Sequence, residues 1–423
     1  MGLLIVFVLT LLVGQSISIG IGLTVERYST PYTGVIAFIT SYFAVLAGMA
    51  PRGALDRASH LDGRLSIRRR CCAPARPDRA TRGSRQLTAF ARKAGLQVHA
   101  FPGTFIPRPR MRVMNSPTAR GLIAVDKMGG KVLFLDPVTH ATTLVLDDFE
   151  RVPHELLVVP QTATAYVPIY GDGIHGRNPH PGHLLSIVDL ATRVHVADID
   201  LSPYIAPHGL QIGPDGLLYI TCENSAVVAL IDLDARELVG AIDTGSTNAH
   251  RLAIAPSGRW LYTENEEDAS ISVIDLPARK LVRQVATPHP LAGLAISPDG
   301  KLLVAVDDQE PLLFLIDTTT FDLVRTLALE NVPEPAQIAR YSPDGQILLV
   351  TSLRSATATL IDPSFTRQTT LAVGKQPMDA AFRDGSLFVA CQGDGSVHVI
   401  DLAARKVAYH FAAGVGCETL AFF

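Results

Sequence analysis

The sequence predicts an all-β protein: a seven-bladed β-propeller, preceded by an N-terminal two-helix membrane segment and a basic linker. Three observations lead there. An apolar strand ending in Asp recurs seven times, a Pro-Asp-Gly type of turn marker precedes the later copies, and two long uncharged runs lie before residue 51.

The recurring strand reads Phe134-Leu-Asp136, Ile187-Val-Asp189, Leu230-Ile-Asp232, Val273-Ile-Asp275, Leu315-Ile-Asp317, Leu360-Ile-Asp362 and Val399-Ile-Asp401. Successive aspartates are 53, 43, 43, 42, 45 and 39 residues apart. A strand-rich unit of that period cannot bury both faces alone, and stacking seven in a ring does so. The second marker reads Gly213-Pro-Asp-Gly216, Ala255-Pro-Ser-Gly258, Ser297-Pro-Asp-Gly300, Ser342-Pro-Asp-Gly345 and Arg383-Asp-Gly385. Pro presets φ and the Gly supplies a φ > 0 position, so each marker is a tight hairpin.

One period therefore holds four strands, A to D. In the third blade they run over 209–212, 217–221, 226–231 and 237–242. Asp232 closes strand C, where its carboxylate can bond the backbone amides of the next turn. Cys417-Glu-Thr-Leu-Ala-Phe-Phe423 reads as an inner strand that completes the blade built from 121–125, 131–135 and 142–146. The competitor for that slot is Arg112–Asn115; closure by the C-terminus leaves no hydrophobic strand unpaired.

Before the propeller, residues 2–24 and 28–50 carry no charged side chain. Each run has about the 20 residues needed to cross a hydrocarbon core. The break Val25-Glu26-Arg27 suits a helical hairpin, so residues 1–50 are expected to insert in a membrane, with 3–50 as the contact. The alternative, an uncleaved signal-like segment and a buried helix, lacks a basic n-region and exceeds the usual apolar length. Residues 51–110 form an Arg-rich linker without apolar periodicity, expected to be disordered. Its bias, with no lysine before Lys93, is also what a misread frame would produce. The propeller is then assigned to 111–423.

Charge and cysteine content exclude more than they suggest. The net charge is −3 and 18% of residues are charged, so the basic footprint of a nucleic-acid binder is missing. The five cysteines show no zinc-knuckle or Cys-x-x-Cys spacing. There is no Gly-x-Ser-x-Gly elbow, no P-loop and no Cys-x-x-Cys-His haem attachment.

The apolar-Ile-Asp-Leu and Ser-Pro-Asp-Gly markers at this period resemble the YVTN-type β-propeller repeat family, across about residues 121–423. The Trp-Asp and Gly-His pairs of WD40 repeats are missing. The resemblance implies a seven-bladed propeller, often periplasmic or surface-located, whose relatives include lactonases, lyases, redox domains and binding scaffolds. The basic linker, in contrast, favours the cytoplasmic side of a membrane.

The candidate chemistry lies in one column. Aligned at the start of strand A, the seven blades read His154, His208, His250, Ala292, Gln337, Met378 and Glu418. Inner strands line the central channel, so these positions share one mouth. Three imidazoles from consecutive blades plus a carboxylate make a candidate Zn²⁺ or Fe²⁺ site. The plainer alternative is histidines that hydrogen-bond adjacent blades.

A long loop in the second blade, Tyr170 to His183, is expected beside that mouth. His175, Arg177, His180 and His183 are its candidate substrate-binding residues. Glu223 and Glu264 end B strands on the same face and are the candidate general acids or bases. The function expected is a metal-dependent hydrolase or lyase of lactonase type acting on a small molecule. The alternative is a non-catalytic scaffold that presents its rim to a protein ligand.

Overall fold

A computed structural model describes residues 120–173 and 177–423, which fall in the second of two units of the chain, Arg108–Phe423. The expected membrane hairpin, the linker and the rival strand Arg112–Asn115 lie outside the described residues. Among the described residues, no helix is long and apolar enough to cross a membrane.

Seven antiparallel sheets form the ring, six of four strands and one of five. Blade 3 has strand A at Pro207–Ile212, B at Leu218–Cys222, C at Val227–Asp232 and D at Glu237–Asp243. Blade 1 closes the ring as expected. Its inner strand is Cys417–Phe422, which pairs with Leu122–Asp126, followed by Lys131–Leu135 and Thr142–Leu146. Asp126 fastens the junction, accepting the N–H of Val415 at 3.1 Å and of Gly416 at 2.7 Å.

In every blade the repeated aspartate accepts backbone N–H groups of the turn that follows strand C, two or three residues ahead except at Asp362, which reaches Thr366 and Arg367. Asp136 accepts the N–H groups of Val138 and Thr139, Asp232 those of Asp234 and Ala235, and Asp317 those of Thr319 and Thr320. Asp189, Asp275, Asp362 and Asp401 cap equivalent turns. The A–B hairpins of blades 3 to 7 place their last Gly at positive φ, from +69° at Gly258 to +81° at Gly216, and in blade 2 Ala163 takes that conformation at +49°. These turns also pack: a Cβ on Gly258 would sit 2.8 Å from Cγ of Pro214 in the preceding blade.

Period-2 alternation then supplies the core. In strand B of blade 5 (Leu302–Asp307), Leu303 and Ala305 pack towards blade 4, while Val304 and Val306 pack towards blade 6. The same division at each junction gives a separate apolar cluster between every pair of neighbouring blades. Fully burying one such side chain contributes about 1.5–3 kcal/mol. Stability is therefore distributed around the ring, and the inner mouths are free to carry polar groups.

Candidate functional site

His250 and Gln337 immediately precede strand A, as expected, whereas in other blades the column coincides with an irregularity in the A–B ladder, where one extra residue bulges. Glu418 is the extra residue between Cys417 and Thr419, as Ala292 and Met378 are in their blades. His208 and Gly209 together face Thr221 in the same way. In blade 2 the inner strand is broken into Val152–Pro153 and Leu157–Val159, with His154 and Glu155 in the gap. A bulge re-aims its side chain out of the ladder, which turns this column into the mouth.

The three imidazoles form a contiguous row. Ring centroids of His154 and His208 are 4.3 Å apart, and those of His208 and His250 are 4.2 Å apart. All three are buried, at 3–4% exposure. Each has Nδ1 near a carboxylate: His250 is hydrogen-bonded to Glu264, with Glu266 at 3.6 Å, whereas His154 lies 3.2 Å from Glu418 and His208 3.2 Å from Glu155 without hydrogen-bond geometry. The row is thus cross-linked between blades 1 and 2, 2 and 3, and within blade 4.

Charge around the row is unevenly shared. Burial, then the cation of Lys127, pushes the His154 pKa down, and burial pushes that of His208 well down, so both are neutral at pH 7. Burial also disfavours a charge on His250, but Glu266 and Glu264 outweigh it and raise the pKa to about 9. Burial alone would raise the carboxyls of Glu155 and Glu418. His208 and Arg251 instead hold Glu155 well below its usual range, and Lys127 with His154 brings Glu418 down to about 2. The connected cluster holds five carboxylates, Glu155, Glu223, Glu264, Glu266 and Glu418, against three cations, Lys127, Arg251 and His250.

Several expectations change. Glu418 is not placed as a fourth ligand: its oxygens meet His154, Lys127 and Gln392. Glu264 is not a free general base: it is fully buried against His250 and accepts the Glu266 N–H at 3.0 Å. Glu223 is buried beside Tyr170, whose hydroxyl is pushed far up by burial and then by that carboxylate. Among the described residues, no group of three or more His, Cys, Asp or Glu side chains is arranged to hold a metal ion.

The long loop meets the row through different residues from those expected. Tyr170 packs edge-on against His154 and His208, at 4.9 and 5.8 Å between centroids, and Asn178 donates to the Tyr170 carbonyl. His180 is clamped to Asp172 at 2.6 Å and is largely exposed, and His183 lies 3.9 Å from Asp200. Arg177 is exposed, and no described contact joins these three to the row. His175 lies outside the described residues.

Sequence reasoning missed Lys127, Glu155, Tyr170, Arg251 and Glu266. Glu155 and Arg251 directly follow His154 and His250, and charged residues inside an inner strand were a readable signal. Lys127 belongs to the same B-strand ends as Glu223 and Glu264, and emerges once blade 1 is aligned with the rest.

Comparison with known proteins adds the fold's relatives. The Cytochrome D1 heme domain family model matches residues 212–384, less than half of the chain. Among 1668 matching chains of solved structures, hydrazine synthase of Kuenenia stuttgartiensis aligns with a TM-score of 0.54 at 18% identity. That alignment covers 64% of this chain and 95% of that one. No curated protein matches. At that identity the likeness is one of fold, and the described chain is a seven-bladed propeller similar to both.

Proposed function

We propose that the propeller is a metal-dependent enzyme of small-molecule hydrolysis or elimination, of lactonase kind, with its metal at the histidine mouth. The observation that supports this reading is that each of the three imidazoles has a carboxylate beside its Nδ1, hydrogen-bonded at His250 and 3.2 Å away at His154 and His208. That is the arrangement that orients a histidine to ligate through Nε2 and makes it more basic. His154, His208 and His250 would supply Nε2 to one divalent ion, Zn²⁺ or Fe²⁺, with Glu418, Glu155 and Glu264 as their anchors. The surplus of carboxylates over cations in the cluster favours a cation there. Glu223, beside Tyr170, is the carboxylate proposed to move a proton to or from a metal-activated water or substrate. Residues 3–50 remain the proposed membrane attachment.

A haem reading is favoured by the family model, whose span includes His250. The residues present do not fit that group. An axial bond needs the nitrogen edge of one imidazole free to approach a macrocycle, whereas these three are buried, meeting one another edge to face and packing against Tyr170 and carboxylates.

The test is elemental analysis and visible absorption of the full-length chain beside His154→Ala, His208→Ala and His250→Ala, with lactone hydrolysis followed by proton release. Stoichiometric zinc or iron lost in each variant together with activity is expected. Metal that survives all three substitutions eliminates the site. No metal in a replete wild type leaves the non-catalytic scaffold, and an intense haem spectrum overturns the choice of cofactor.

A further inference from the structure

Below the histidine row, the central channel opens into a cavity of about 380 Å³. It runs from Glu155 and Arg251, next to the row, to Ile296 and Tyr341, the last residues of their inner strands before the A–B hairpins. Its volume is that of a small-molecule site.

The polar groups in this cavity are unequally committed. Asp379 is ion-paired through Oδ1 with Arg340 Nη2 at 2.6 Å and accepts from Thr419 Oγ1 through Oδ2 at 2.6 Å. Oε1 of Glu155 meets His208 and also accepts from Arg251 Nη1, at 3.0 Å. Each guanidinium, in contrast, gives one nitrogen to these pairs out of a five-donor fork. The Arg251 Nε is buried without a hydrogen-bond partner, and the Arg340 side chain is 46% exposed. Spare donors therefore remain on both guanidinium groups, and they come from blades 4 and 6. Between them, blade 5 contributes Leu294 and Ala295, an apolar wall.

We propose that this cavity binds a small organic carboxylate, entering from the A–B hairpin mouth. Arg251 and Arg340 take its anionic groups, and its carbon body lies along Leu294 and Ala295. Guanidinium forks match carboxylates in a planar, two-bonded geometry, and charge-assisted bonds of that kind are the strong ones. The inference deepens the proposed enzyme by naming its substrate class, and rests on that reading only for the chemistry after binding. The channel delivers the ligand to the inner side of the imidazole row.

The measurement is calorimetric titration of the full-length chain with succinate, with succinamide as the uncharged counterpart and sulfate as a competing anion. It is repeated after EDTA treatment, so a failed metal site leaves it standing. Succinate should bind and succinamide should not. Arg340→Gln should weaken succinate at least about tenfold, the scale of one charge-assisted bond. Arg340→Lys, which keeps the charge, should recover part of the loss. Melting temperatures within error of wild type show that the partly exposed position tolerates both changes. Absence of succinate binding, equal affinity in Arg340→Gln, or displacement by equimolar sulfate would each overturn the proposal.

Discussion

Truncating Leu420 to alanine tests how the ring is closed. Leu420 is 4% exposed, lies opposite Ala124, and packs in the cluster that joins blade 7 to blade 1 with Leu122, Leu133 and Phe388. Removing a buried leucine side chain costs its transfer free energy plus a cavity term, about 3 kcal/mol at a site that cannot collapse. For a domain near 300 residues, about 2 °C of Tm is lost per kcal/mol, so the variant should melt roughly 6 °C lower. The control is Val145→Ala on the outermost strand of the same blade, where Val145 is 41% exposed. That change should stay within about 0.5 kcal/mol. Urea unfolding followed by circular dichroism reads both, and equal midpoints for Leu420→Ala and Val145→Ala would refute closure by the C-terminal strand.

Other outcomes follow from the same geometry. Glu264→Gln removes the carboxylate anchor from His250 and should weaken metal affinity about 10- to 100-fold, measured by competition with a chelator; unchanged affinity would count against the Nδ1 anchoring. Gly258→Ala places a Cβ at φ +69° and 2.8 Å from Pro214, and should cost about 1–2 kcal/mol, whereas Gly240→Ala meets open space and should not. The turn carboxylates of Asp136, Asp189 and Asp317 are lowered chiefly by backbone N–H donors. Their contribution to stability is complete above the ordinary value of 3.8 and is lost as pH falls through the lowered one, so Asp→Asn variants should show a flatter acid limb in unfolding titrations. Full-length chain expressed in bacteria should resist carbonate extraction from membranes, and recovery in the soluble fraction would remove residues 3–50 as an anchor.

What the sequence determined by itself was everything that depends on local chemistry repeated in register. An aspartate that accepts amides two and three residues ahead, a glycine forced to positive φ, and apolar residues alternating along a strand act within one blade. Seven copies make that pattern legible without knowing what each blade touches. The histidine column was legible for the same reason, since equivalent positions in a repeat occupy equivalent places in the ring.

Only the tertiary structure decided what those histidines meet. Bulges at Glu418 and His208, and the break at His154, turn side chains out of the ladder, and the sequence carries no local signature for the extra residue. The partners come from other blades: Glu418 to His154 across the closure, Glu155 to both His208 and Arg251. Whether a buried carboxylate acts as ligand, base or anchor depends on distances of a few ångströms, because burial and the nearest charge together set its protonation. The channel cavity shares this origin. Its donors lie on blades 4 and 6, and their pairing with carboxylates on blades 2 and 7 appears only once the ring is assembled.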